Sequence, residues 1–181
     1  VIPVENSPIN DEVMFNNIMK KFGYGNAQIP GVYFDEENRR HLNTIRRAHA
    51  ELAIDLAQKN KQQEARQILE KADKMMLQEN FPYGMVSRSN EHNRISMMFL
   101  EACYRSQDSA LAKKVAGSVK TDLQQQIKYY NGLTGKKAEN MQYEKSAAEN
   151  LLKMLNEMQQ FFTKSASADT LLPTLQSKPI E

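Results

Sequence analysis

Residues Leu42–Ala72, LNTIRRAHAELAIDLAQKNKQQEARQILEKA, decide the fold. Leu42, Ile45, His49, Leu52 and Leu56 recur at alternating steps of three and four, and Ala53 widens the stripe. Beyond Lys59–Lys61 the same spacing returns in Ala65, Ile68, Leu69, Ala72, Met75 and Met76. That is the helical period, with an apolar face and a charged face on each segment. The pattern predicts two antiparallel helices joined by a tight turn at Lys59–Lys61. Their apolar faces must be buried against each other and against something further along. A helix hairpin with a spare apolar face is the unit of a stacked repeat.

Upstream, prolines at 3 and 8 keep Val1–Pro8 out of regular structure, so it reads as an extended arm. Asn10 or Asp11 can cap a short helix whose Met14, Phe15, Ile18, Met19 and Phe22 form an apolar stripe. Gly23 and Gly25 end it, and Gln28-Ile29-Pro30-Gly31 is a turn. Val32-Tyr33-Phe34 reads as a hydrophobic staple before a helix capped by Asp35, with Glu36 and Glu37 favoured by the dipole in its first turn.

Downstream, the hairpin's second helix runs to about Gln78, and Phe81-Pro82-Tyr83-Gly84 is a clear break. A further helix carries Ile95, Met98, Phe99, Ala102 and Cys103 on one side. Another follows Gln107-Asp108, with Leu111, Val115, Val119, Leu123, Ile127 and Tyr130 in one stripe. After the break from Asn131-Gly132 to Gly135, a last helix over about 138–163 stacks Ala148, Leu151, Leu155, Met158 and Phe162. The expected organisation is an arm and short helix over 1–34, a helical domain over 35–163, and a tail over 164–181 that Leu171 and Leu172 can dock.

Composition points the same way. The chain has 181 residues, enough for one domain with a real core. It is 40% hydrophobic and 25% charged, in the ordinary globular range. Seven Gly and six Pro, with many good helix formers, favour an all-α protein over a sheet protein. A net charge of +2 gives no bulk attraction to nucleic acid, and aromatics do not interleave with the basic residues. A single cysteine, Cys103, excludes an internal disulfide and a cysteine-rich zinc site. No run approaches the roughly 20 apolar residues of a membrane span. The start at Val1 rather than Met reads as a piece processed, trimmed or cut from something longer.

The hairpin can be tested against the tetratricopeptide pattern. Leu52 and Ala53 sit at its leucine and small-residue positions, Leu56 at the aromatic position, and Ala65, Leu69 and Ala72 on the second helix. The physical demand is small residues where backbones approach and bulky ones between. Phe99-Leu100-Glu101-Ala102-Cys103-Tyr104 with Ala112 makes a second, poorer unit. Leu100 stands where a small residue is wanted and Ala116 where a bulky one is. The separation from Ala65 to Ala112 exceeds the usual period of about 34 residues, the excess falling in the Phe81–Gly84 loop. The expected fold is therefore all-α, tetratricopeptide-like stacked hairpins in an α-α superhelix.

A longer likeness covers about 14–133. The string Met14-Phe15-Asn16-Asn17-Ile18-Met19-Lys20-Lys21-Phe22, then Gly25, then Val32-Tyr33-Phe34-Asp35-Glu36-Glu37-Asn38 and Arg40, carries it, with Pro82-Tyr83 following the hairpin. It resembles the soluble C-terminal region of a family of large multi-pass membrane proteins of Bacteroidetes. Their membrane part is similar to protein O-mannosyltransferase-type glycosyltransferases. The resemblance implies an excised exoplasmic, periplasmic domain, with any transferase chemistry in a part absent from this chain.

The residues themselves show no catalytic signature. There is no Gly-rich phosphate loop, no His-Glu-x-x-His, no Gly-x-Ser-x-Gly and no acid cluster with metal spacing, so neither a cofactor nor a metal is expected. His49 lies in the apolar stripe and reads as a hydrogen-bonded core residue, His92 as a capping or solvent-exposed one, and Cys103 as a small buried hydrophobe. Arg39 and Arg46, like Arg40 and Arg47, are a heptad apart and share faces. They read as solvated surface, with Glu36–Arg40 and Arg47–Glu51 pairs, or as a strip for phosphate, carboxylate or acidic glycan.

The function expected is a non-catalytic helical interaction or accessory domain of a membrane glycosyltransferase-like protein, binding a protein or peptide partner that includes its own membrane part. The alternative is a free-standing adaptor or periplasmic scaffold unrelated to glycosylation. Matching repeat positions place the interaction surface at Arg47, Ile54 and Gln58 in the first unit and Arg94, Met97, Glu101, Tyr104 and Arg105 in the second. Arg47 and Arg94 would clamp an anion beside Tyr104. The register itself is testable: Ala65→Leu should cost about 1–3 kcal/mol by overpacking the hairpin seam. A melting curve unchanged by it would place Ala65 in solvent.

Overall fold

The computed structural model describes residues 9–169. Its main elements are α1 (Asp11–Lys20), α2 (Glu36–Gln58), α3 (Gln62–Met75), α4 (Glu91–Arg105), α5 (Ser109–Asn131), the short α6 (Lys136–Asn140) and α7 (Gln142–Asp169). A single 3-10 turn at Arg88–Asn90 leads into α4, and no strand occurs among the described residues. The arm Val1–Pro8 and the docking residues Leu171 and Leu172 lie outside the described residues.

The helices start where side chains can satisfy orphan backbone donors. Asn10 Oδ1 accepts from Val13 N at 3.0 Å, Asp35 Oδ1 from Asn38 N at 2.8 Å, and Asp108 Oδ1 from Leu111 N at 3.0 Å. The α2–α3 connection is closed by Asn60 in the left-handed region, φ 61°, so the second helix turns straight back on the first. Phe34 is buried ahead of α2 while Tyr33 points outward, 80% exposed.

Directions follow from side-chain contacts. Arg47 reaches Glu91 at the start of α4, and Arg66, just past the α2–α3 turn, donates to the carbonyls of Ser106 and Gln107 just past its end. α4 therefore runs parallel to α2. Asp73 of α3 pairs with Lys114 of α5 at 2.7 Å, so these two run together in the opposite sense. Tyr104 stacks on Phe162 at the far end of α4, while α7 also touches the turn before α4, so α7 runs with α4.

Burial follows this stacking. α2 packs on α3 and α4, α4 on α5, and α5 on α7. α4 is the most enclosed, with Ile95, Met97, Phe99, Leu100, Ala102 and Cys103 all buried, as a central helix must be. Ala65 and Ala112 lie in the seams, 0% and 1% exposed. The N-terminal segment belongs to the same core: Ile18, Tyr24 and Ala27 are buried in it, and Lys71 Nζ donates to Met19 O at 2.8 Å. The final helix extends past the expected end near Thr163 to Asp169.

The long α3–α4 connection is not a surface loop. Met76, Phe81 and Tyr83 are buried, and Asn80 Nδ2 donates to the carbonyls of Ala27 and Ile29 at 2.9 and 2.7 Å. Gly84 is wedged against α5, its N–H donating to Ser118 Oγ at 2.8 Å. A Cβ there would stand 2.2 Å from the Ser118 carbonyl oxygen. Gly84→Ala should therefore cost about 1–3 kcal/mol, read as a lower urea midpoint. Gly117→Ala, in an open helical position, should instead stabilise by about 0.5–1 kcal/mol.

Candidate functional site

The first half of α2 presents Glu36, Arg39, Arg40 and Asn43 at steps of three and four, on one face. Opposite stand Met85 to Ser89 and the first turn of α4, with Glu91, His92 and Arg94. Between them lies a solvent-open cleft of about 770 Å³. Four arginines, Arg39, Arg40, Arg88 and Arg94, line it against two glutamates, Glu36 and Glu91.

Both acids are already engaged. Arg40 pairs with Glu36 at 3.5 Å and Glu37 at 3.2 Å, and Arg47 pairs with Glu91 at 3.3 Å. Arg39 lies against the Tyr33 ring, 5.7 Å from its centroid, and Arg94 Nε donates to Ser89 O at 3.2 Å. Arg39, Arg88 and Arg94 thus face the cleft without a carboxylate partner among the described residues.

The cleft rests on Arg46, which is not surface, as its heptad relation to Arg39 suggests, but 0% exposed. Its guanidinium donates to Phe81 O at 2.8 Å, Pro82 O at 3.1 Å and Ser96 Oγ at 3.1 Å. It also lies over the rings of Phe81 and Tyr83, at 4.2 and 4.7 Å. Burial pulls its pKa down to about 10, opposed by the Tyr83 and Asp73 oxygens, so it stays charged at neutral pH.

His92 is likewise buried, 0% exposed, where capping or solvent exposure is the expectation from sequence. Its Nε2 lies 2.7 Å from Pro82 O, which can only accept, and 3.2 Å from Arg46 Nη1, which can only donate, so its two neighbours favour opposite tautomers, and its Nδ1 has no partner. Burial, reinforced by the Arg46 charge, pushes its pKa down to about 3. His49 is the contrasting case and sits in the core as expected. Its Nδ1 donates to Ile45 O at 2.7 Å and its Nε2 meets the Tyr24 hydroxyl at 2.9 Å, so both nitrogens are satisfied. Burial holds its pKa down at about 4.

Three solvent-shielded atoms at the cleft have no hydrogen-bond partner: Arg39 Nε, Asn43 Oδ1 and His92 Nδ1. Arg46 Nε and Gln78 Nε2 share that condition but belong to residues outside the cleft lining.

The repeat-derived surface residues separate into two groups. Arg94 lines the cleft, whereas Arg47 is not among its lining residues and pairs with Glu91 rather than with Glu51. Gln58 is exposed at the end of α2, whereas Ile54 is half-buried against the core. Met97 is 4% exposed and faces inward, so it offers no surface. Glu101 and Arg105 pair with each other at 2.7 Å. Tyr104 is stacked on Phe162 of α7, centroids 4.7 Å apart. It lies about 15 Å along α4 from Arg94 and cannot serve as a platform beside it.

Sequence reading missed Asn43, Arg88 and His92. The available signal was the Phe81-Pro82-Tyr83-Gly84 break, which brings Arg88 and His92 back across α2. Among the described residues no group of three or more His, Cys, Asp or Glu is arranged to hold a metal ion. The Cys103 thiol is buried, which raises its pKa. No described helix is long and apolar enough to cross a membrane. Comparison with protein-family models, curated proteins and solved structures gives no match.

The two buried histidines set a pH dependence. Both are neutral when folded down to pH about 4, whereas exposed imidazole protonates near 6.5. Below about pH 6.5 the unfolded chain therefore binds more protons than the folded one, and stability falls as pH falls. Each histidine should remove about 1.4 kcal/mol per unit between pH about 6 and 4. Urea unfolding at pH 7 and 4.5 measures the slope. Imidazole resonances of His49 or His92 titrating near pH 6.5 would contradict their burial.

Proposed function

We propose that this chain is a non-catalytic recognition domain that binds an anionic group of its partner in the cleft between α2 and the start of α4. The observation that carries the reading is the cluster of Arg39, Arg88 and Arg94 lining the cleft without carboxylate partners among the described residues. Guanidinium groups pair with carboxylate and phosphate through parallel donors, which favours recognition of such groups over bulk attraction. Parallel α2 and α4, each followed by a helix running back, support a tetratricopeptide-like stacking of two hairpins, with α7 laid across the second. On this reading the cleft replaces the wider surface drawn from the repeat. Arg94 contributes to it and Arg47 holds Glu91 at its border, while Tyr104 is taken up by α7 and Glu101 and Arg105 pair with each other.

The partner is a protein or peptide, and the resemblance over 14–133 points to the membrane part of a glycosyltransferase-like protein on the periplasmic side. Two measurements test this. Sequencing the gene upstream of the Val1 codon should reveal membrane spans, and an open reading frame without them removes the glycosyltransferase link. Arg88→Ala with Arg94→Ala alters two exposed residues and should leave stability within about 0.5 kcal/mol. The same variant should lose capture of the partner from a membrane extract, and undiminished capture would put the binding surface elsewhere.

A further inference from the structure

We propose that the anionic group taken by the cleft belongs to an acidic, extended segment of the partner polypeptide, which pairs as a strand with Val86. This deepens the recognition reading above and rests on it. The inference comes from the main chain of Met85–Ser87, which lies outside any helix and lines the cleft. Ser87 is extended, with φ −153° and ψ 166°. Hydrogen bonds alternate along the stretch. Met85 N–H donates to Asn93 Oδ1 at 3.2 Å, and Ser87 C=O accepts from Asn90 N–H at 2.9 Å, so both turn towards the start of α4. Val86, between them and 59% exposed, has no hydrogen-bond partner for its N–H or its C=O among the described residues. In an extended chain the two groups of one residue point the same way, and those of its neighbours the opposite way. The open pair of Val86 is therefore one rung of a strand edge. It is held from behind and can exchange two hydrogen bonds with one residue of an incoming chain.

The side chains complete the fit. Residues directly opposite in a strand pair carry their side chains on one face, and that face repeats every second residue. Val86 lines the cleft. The residue paired with it, and those two places before and after, are then directed into the cleft. There Arg39, Arg88 and Arg94 stand without carboxylate partners among the described residues. Acidic residues at alternate positions meet that demand, and more than one is needed to offset the three guanidinium charges. A small anion can only accept, so it leaves the Val86 C=O without a donor. The lining favours a chain as well. Of its side chains only Met85 and Val86 are apolar and the cleft is open to solvent, whereas pockets for small molecules are mostly apolar and enclose the ligand.

Calorimetric titration of the whole chain with the peptide acetyl-Glu-Thr-Glu-Thr-Glu-amide, with two N-methylated forms of it, and with inorganic phosphate tests this directly. Methylating the glutamate nitrogens removes the donors that face Val86 and should weaken binding about tenfold or more. Methylating the threonine nitrogens, whose N–H groups point the other way, should change binding by less than about twofold. Val86→Pro removes the protein's own donor and should weaken the parent peptide about tenfold while leaving inorganic phosphate unchanged. Arg88→Ala should weaken both. Thermal melts establish that each variant keeps the fold, and the comparison of methylated peptides needs no variant. Equal binding of the parent and both methylated peptides would overturn the strand pairing and leave the anion-binding cleft standing. So would inorganic phosphate bound where no peptide is. Binding of neither peptide nor phosphate would overturn this proposal and the anion reading together.

Discussion

Everything at the α2–α4 junction depends on one buried cation. Arg46 is enclosed without an ion pair, and removing such a charge from water is costly unless its donors are met. Its two terminal nitrogens are met by two successive carbonyls of the α3–α4 connection and by Ser96 of α4, and its plane lies over the rings of Phe81 and Tyr83, while Nε has no hydrogen-bond partner. Those partners come from two parts of the chain, the Phe81–Tyr83 stretch and α4, so the arginine of α2 fixes how the two sit relative to each other. The connection cannot lift away without stranding a charge in the interior. This explains why a Pro-containing stretch, which sequence alone marks as a break, is as well packed as the helices around it.

A second buried polar cluster fixes the opposite edge of the cleft. Asn90 exchanges side-chain amide bonds with Gln126 of α5, each 3.0 Å, and Asn93 bridges Asn90 to Asp122 at 2.9 and 2.7 Å. Ser89 and Asn90 both adopt φ 53°, a left-handed turn that the main chain tolerates here because Asn90 is held from both sides. That turn aims the residues on either side of it, Arg88 and Arg94, at α2. Gly84 contributes at the other end, where the chain passes too close to the α5 backbone for any side chain. The arginines are thus presented by a rigid strap.

Much of the fold was legible because helical periodicity survives in local sequence. The stripes of Leu42–Leu56 and Ala65–Met76 report their own burial, and the caps at Asn10, Asp35 and Asp108 are local as well. The site was half legible. The four arginines Arg39, Arg40, Arg46 and Arg47 raised an anion strip as the alternative to solvated surface, and two of them, Arg39 and Arg40, line the cleft. Arg46 misled, because residue type argues for the surface and nothing within α2 reveals the carbonyls that accept from it. Those lie in the Phe81–Tyr83 stretch, which only the folded chain brings across. His92 was misjudged for the same reason, its Nε2 partner being Pro82 O. The row from Arg94 to Arg105 failed differently. Repeat logic treats every copy of a position as equally open, but α7 lies over the far end of α4 and takes Tyr104 for its own packing against Phe162.

The two halves of the picture meet in the electrostatics of the cleft floor. Asp73, the carboxylate nearest to Arg46 in influence, accepts from Lys114 at 2.7 and 2.8 Å and from the Tyr83 hydroxyl at 3.0 Å. Its charge is therefore largely spent on α5, and that of Arg46 is left uncancelled beneath the cleft. His92 registers the result: both Arg46 and Arg39 act to keep its ring neutral. Burial is the larger reason that the ring stays neutral, and the two arginine charges add to it. Because Arg46 is shielded from solvent, its field is screened less than that of the rim arginines. The cation that holds the strap in place therefore also adds positive potential beside His92, one of the residues that line the cleft.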